Sequence, residues 1–137
     1  MKLDQKLIDA ATDQLATRFP GEGGLAAAAY TADGSLFTSV VFDPEWGGGG
    51  LCAETGALLD IHKTNKRLTA IACVSRLDGD GPLYIATPCG ICQERIYHWG
   101  YDVEIAVPTP EDPTQWMMRT LGDIQPYHWV RVYVKDI

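Results

Sequence analysis

With 137 residues, 46% of them apolar, the chain suffices for one domain around one continuous core and is too short for two ordinary ones, so a single domain is expected over residues 1–137. A net charge of −7 without a local cluster of Lys and Arg repels a phosphate backbone and argues against long nucleic acid as a partner. No apolar run reaches about 18 residues, which argues against a membrane-spanning helix.

Leu3, Leu7, Ile8, Ala11, Leu15 and Phe19 recur at helical spacing before Pro20 and Gly21, which predicts an amphipathic helix lying on a sheet. Lys2, Asp4, Lys6, Asp9, Asp13 and Arg18 interleave with these apolar positions, unlike a signal peptide. Two short apolar runs, 25–31 and 36–42, flank Ala32, Asp33, Gly34 and Ser35 and read as a β-hairpin. After Asp43 and Pro44 come Trp46 and the glycines 47–50, a stretch without side chains that fits either a plain flexible loop or one facing a ligand.

Helix formers over 53–66 predict a second helix, and 68–74 a buried strand. A shorter strand is expected over 83–86, then a helix opened by Pro88 and reaching about Trp99. A fifth strand is expected over 103–107, and beyond Pro108, Pro110 and Pro113 a short helix over 114–121. Helices alternating with strands in this way indicate a layered α/β domain.

The four cysteines carry the chemistry. A chain able to bury an ordinary core has little need of disulfides, so reduced thiols and a cytoplasmic location are expected. Cys89 and Cys92 stand three apart just after Pro88, so a helix beginning there puts both sulfurs on one face; metal ligands, a redox dithiol and two buried small side chains all fit that spacing. Cys52 also opens a predicted helix, where a thiolate is favoured by a partial positive charge of roughly half a unit. Three thiolates leave a tetrahedral zinc ion one open position, and no fourth ligand is evident nearby, as in a catalytic rather than a structural site. Cys73, among Ile71, Ala72 and Val74, reads as a buried side chain, and His62, His98 and His128 each stand alone. Glu54, two residues past Cys52, is placed to take a proton from a metal-activated water and pass it on, although a glutamate in a first helical turn also merely suits the dipole.

Cys52-Ala53-Glu54 followed by Thr87-Pro88-Cys89-Gly90-Ile91-Cys92 resembles the cytidine deaminase family, in its branch with three cysteine ligands. The resemblance extends to the N-terminal helix, to Asp33-Gly34 before Phe37-Thr38, and to 121–126. It implies a three-layer α/β/α sandwich with a five-stranded mixed sheet, zinc held by Cys52, Cys89 and Cys92, and Glu54 as the proton relay in hydrolytic deamination of a pyrimidine-like ring. It also implies a homotetramer whose neighbouring chains help wall each active site.

The chain departs from the family pattern at several places. Gln93 and Glu94 stand where arginine and glutamine usually follow the last ligand, leaving Arg95 as the nearest positive charge. Counting back from Cys52 puts Val41 and Asp43 where relatives present asparagine and glutamate to the sugar hydroxyls, and valine cannot hydrogen-bond. Gly23 takes a place where an aromatic residue near the base is common, with Trp46, Tyr127, His128 and Trp129 as replacement surfaces. Val41, Asp43, Trp46, Ala53 and Trp129 are therefore the candidate substrate contacts. Three readings remain: a deaminase of a cytosine nucleoside, of blasticidin S or of a free aminated heterocycle; a zinc-stabilised binding protein without turnover; and a thiol redox protein.

Overall fold

The computed structural model describes residues 1–134. Helix α1, Gln5–Arg18, starts where the Asp4 carboxylate accepts the Leu7 N–H at 3.0 Å, and it buries Leu7, Ile8, Ala11 and Leu15. Strands β1, Gly24–Thr31, and β2, Leu36–Val40, form the expected hairpin, with Ala28 opposite Thr38. Helix α2 is Thr55–Lys63, strand β3 Leu68–Arg76 and strand β4 Tyr84–Ile85. Helix α3, Gly90–Ile96, runs into a 3-10 turn at Tyr97–Trp99, and strand β5 is Glu104–Pro108.

The region expected as a helix over 114–121 folds otherwise. Strand β6, Trp116–Thr120, pairs antiparallel with β5, placing Met117 opposite Val107 and Met118 opposite Ala106. Only after Thr120 does helix α4, Leu121–Ile124, begin, on a capping box in which Thr120 and Asp123 satisfy each other's backbone N–H groups. The open edge of β5 offers a ladder of backbone partners that outweighs local helix propensity. Helix α2 is likewise shorter than expected, since Asn65 adopts φ 54° just beyond it and ends it.

Five strands run in the order β2-β1-β3-β5-β6, with the short β4 beside β3 and off that path. The β3–β5 pair is parallel and the other pairs are antiparallel, which makes the sheet mixed. Alternation along the strands separates the two faces. Ala26, Ala28 and Tyr30 of β1 and Ala70, Ala72 and Val74 of β3 face α1. Ala29, Ile71, Ile105 and Val107 point the other way, against Ala57, Leu58 and Ile61 of α2 and Ile96 of α3. Helix, sheet and helix thus form three layers, and the four consecutive alanines of β1 let both helical layers approach closely. Among the described residues, no helix is long and apolar enough to cross a membrane.

On the second face Ala27, Ala53 and Cys73 form a smaller cluster, joined by half-buried Leu25, Val41 and Ala86. This apolar floor lies where the turns leading into α2 and α3 meet the sheet. The α1 layer is independent of it, so Leu15→Ala is expected to destabilise the fold by about 2–5 kcal/mol through the cavity it leaves. The shift of the urea unfolding midpoint, with metal content held equal between the two proteins, measures this.

Candidate active site

Two turns at helix starts supply the polar groups. The Thr55 N–H donates to the Cys52 carbonyl at 3.1 Å and the Leu58 N–H to the Glu54 carbonyl at 3.0 Å, so Cys52-Ala53-Glu54 is wound directly into α2. Two contacts pin that turn to the sheet. The Ser39 hydroxyl of β2 donates to the Ala53 carbonyl, and Gly56 sits so close to β2 that a Cβ there would lie 2.8 Å from the Ser39 Cβ. Only a glycine at this place lets α2 approach the strand. Helix α3 begins at Cys89, and the Gln93 side chain turns back to donate to the Pro88 carbonyl at 2.7 Å, which fixes the turn ahead of it. A third contact joins the two helices: Arg95 Nη1 donates to Thr55 Oγ1 at 2.8 Å.

These constraints bring Cys52, Cys89 and Cys92 together. Their sulfurs lie within 4.8 Å of one another, and Cys52 Sγ and Cys89 Sγ are 3.3 Å apart. A tetrahedral zinc ion with Zn–S bonds of about 2.3 Å needs sulfurs separated by about 3.8 Å, so the trio fits a single ion. Convergence of all three also distinguishes the cluster from a two-cysteine redox pair. Cys73 is 2% exposed and outside the trio, as expected for a core thiol, although it also lines the cavity described below.

The electrostatics require a cation if three thiolates are to coexist. Burial pushes the Cys92 thiol well above its ordinary pKa, and the neighbouring Glu54 and Cys52 charges add to the effect. The hydrogen bond with Cys89 raises Cys52, with burial second. Burial opposes the Cys89 thiolate too, but the Cys92 N–H, the Cys52 thiol and the Ile91 N–H together outweigh it and bring its pKa below the usual value. A bound dication reverses the penalty on the other two, because a coordinating thiol is deprotonated outright.

Glu54 is only 4% exposed, yet it lines a cavity of about 370 Å³ together with Cys52 and Cys89. Val41, Asp43 and Ala53 line the same cavity, so three of the five candidate substrate contacts share it with the catalytic candidate and two of the three clustered cysteines. Trp46 and Trp129 are not brought to it. Trp46 is 91% exposed on the glycine loop, and Trp129 donates its indole N–H to Glu94 Oε1 at 2.7 Å on the outer side of α3. Sequence reasoning missed Leu25, Phe42, Leu51, Ala86 and Thr87, and set aside Cys73, all of which also line the cavity; it missed too Ser39 and Gly56, which position the α2 turn. No spacing rule marks these positions, although the isolated bridge between Phe42 and Leu51 shows why the loop between them returns to the site.

Gly23 has a local explanation. A Cβ there would lie 2.5 Å from the Leu77 carbonyl oxygen, so the backbone beyond β3 excludes any side chain, aromatic or otherwise. The histidines stay away from the sulfurs. His62 and His98 are exposed, and buried His128 donates from Nε2 to Glu94 Oε2 at 2.8 Å.

No protein-family model matches the chain. Its sequence is 34% identical over 103 residues to a curated cytidine deaminase of Mycobacterium tuberculosis, covering 74% of this chain and 69% of that protein. The crystal structure of the cytidine deaminase from Bacillus anthracis matches with a TM-score of 0.88 and 36% identity, over 94% of this chain and 91% of that one. That of the cytidine deaminase from M. tuberculosis matches with a TM-score of 0.66 and 28% identity, over 93% and 98%. A curated relative at this identity, a matching three-layer fold and a cluster of three cysteines beside a buried glutamate converge on one conclusion: the chain belongs to the cytidine deaminase family of hydrolytic aminohydrolases.

Proposed function

We propose that the chain is a zinc-dependent hydrolase that removes the amino group of a cytosine-type ring, in cytidine, deoxycytidine or a cytosine nucleoside analogue, as ammonia. The observation that carries this reading is the position of Glu54: a carboxylate withdrawn from solvent, yet lining the same cavity as two of three clustered sulfurs. Burying a carboxylate is costly, and a protein that used its metal only for stability would have no need of one there.

In this reading Cys52, Cys89 and Cys92 hold the zinc, which when bound supplies the Lewis acidity that makes water nucleophilic near neutral pH. The Glu54 carboxylate takes a proton from the attacking water and delivers it to the ring nitrogen beside the aminated carbon. Oxygen adds to that carbon, Glu54 takes the remaining proton from the added hydroxyl and gives it to the amino nitrogen, and the carbon–nitrogen bond breaks. Water and the amine have then become a carbonyl and ammonia. The N–H groups of Cys92 and Ile91 stabilise the Cys89 thiolate, a task for which the chain has no arginine directly after Cys92. The Arg95 contact with Thr55 fixes the separation of the two ligand-bearing turns.

The same reading makes the protein a cytoplasmic homotetramer. Leu51, Leu59 and Trp99 line a second cavity of about 420 Å³ on the outer face of α2, apolar surface that a neighbouring copy would cover.

Two measurements test the proposal. Purified protein is expected to hold about one zinc per chain and to release ammonia from a cytosine nucleoside; Glu54→Ala keeps the metal and loses at least about 10²-fold to 10⁴-fold in rate. Full activity in Glu54→Ala, or ammonia release by metal-free protein, would refute it. Ser39→Ala, which frees the Ala53 carbonyl, is expected to weaken zinc binding by roughly 10- to 100-fold in competition with a chromophoric chelator, with the far-UV circular dichroism unchanged.

A further inference from the structure

We infer that oxidation closes this zinc site reversibly: a peroxide joins Cys52 to Cys89 in a disulfide, and a thiol reductant reopens the site to the metal. The inference rests on the proposed zinc site and concerns what its sulfurs do in the presence of an oxidant.

Access sorts the four thiols. Cys89 is exposed and Cys52 half-buried, whereas Cys92 is fully buried and Cys73 is 2% exposed. Cys52 and Cys89 both line the cavity that holds Glu54, and Cys92 does not. A cavity that admits a pyrimidine ring also admits a peroxide, which is smaller, so catalysis itself keeps a route open to these two sulfurs. Cys73 lines the cavity too, but it stands outside the trio.

Distance selects the same pair. The Cys52 and Cys89 sulfurs are 3.3 Å apart. Their turns are tied in place at that separation, the first to β2 by the Ser39 hydroxyl on the Ala53 carbonyl, and one helix to the other by Arg95 on Thr55. The spacing of Cys89 and Cys92 matches that of a redox dithiol, but Cys92 has no exposed surface on which an oxidant could act.

In the metal-free chain Cys89 Sγ attacks one peroxide oxygen, the O–O bond breaks, and one water leaves with Cys89 as a sulfenic acid. Cys52 Sγ then displaces that hydroxyl, which departs as a second water with the Cys52 proton. Each sulfur gives up one electron and each peroxide oxygen gains one. With zinc bound, two protons from solvent replace those of the thiols. A disulfide sulfur is no longer a thiolate, the form in which cysteine ligates, so the oxidised site keeps one of its three protein ligands and no longer holds the ion.

The test treats the zinc-loaded full chain with hydrogen peroxide and follows zinc release with a chromophoric chelator. Remaining thiols are then alkylated and the disulfide is mapped by mass spectrometry. The expected result is a link between Cys52 and Cys89 within one chain, Cys73 and Cys92 alkylated, and zinc content at least about tenfold lower. Dithiothreitol then restores zinc uptake. A link from Cys92 to either partner, a link between chains, or the absence of any disulfide overturns the inference. So does a disulfide form that keeps its zinc, or one that takes up none after reduction. As a second arm, the metal-free chain carrying Cys92→Ser is expected to form the same disulfide at a rate within about threefold of the metal-free parent. Loss of the disulfide there makes Cys92 a participant and overturns the inference. Deamination fails separately: silence of the reduced, zinc-loaded chain on cytosine nucleosides refutes that reading and leaves the mapped disulfide standing. A reduced chain that takes up no zinc overturns both.

Discussion

The site depends on two separate turns being held at one fixed distance. Cys52 and Glu54 enter from the turn before α2, and Cys89 and Cys92 from the start of α3, thirty-seven positions apart in sequence between Cys52 and Cys89. Local conformation alone does not bring them together. The sheet does so, with β2 gripping the first turn through Ser39 and Gly56, and Arg95 reaching from α3 to Thr55 across the gap. Sulfur atoms that repel one another as thiolates, beside a buried carboxylate, make the site an electrostatic liability to the fold that a dication would relieve.

The departure from the family pattern at Glu94 has a use in this fold. Its carboxylate accepts from His128 Nε2 at 2.8 Å and from the Trp129 indole at 2.7 Å, and these two bonds, that to Trp129 foremost, hold it below the ordinary carboxylate range. Tyr101 pairs with the other nitrogen of His128, and Arg131 lies 4.3 Å from the centre of the Tyr101 ring. The 3-10 turn Trp129–Val132 is thereby fastened to the helix that carries Cys92. Trp129 is committed to that fastening in this chain, which is why it does not reach the cavity.

Two kinds of surface line the cavity. The polar end of the cavity is assembled from turns and backbone N–H groups, whereas its walls are an outward continuation of the core cluster formed by Ala27, Ala53 and Cys73. Reacting groups must be placed to a fraction of an ångström, whereas apolar surface accepts a range of shapes.

Much of this was legible in the residues themselves. The period of α1 and the continuous apolar runs of β1, β3 and β5 are direct consequences of burying one face of the helix and both faces of the central strands, and the succession of helices and strands indicated the layered class. The convergence of Cys52, Cys89 and Cys92 was readable because metal chemistry restricts residue type and spacing so tightly. What tertiary structure alone decided were the pairings: β6 as a strand, because β5 had an open edge to fill; Gly23 as a point of contact between backbones; Trp129 bound to Glu94 and not to the cavity; Ser39, Gly56 and Arg95 as the ties between turns. Each of these depends on a neighbour distant in sequence, and a side chain's partner across space leaves no periodic mark on the segment that carries it.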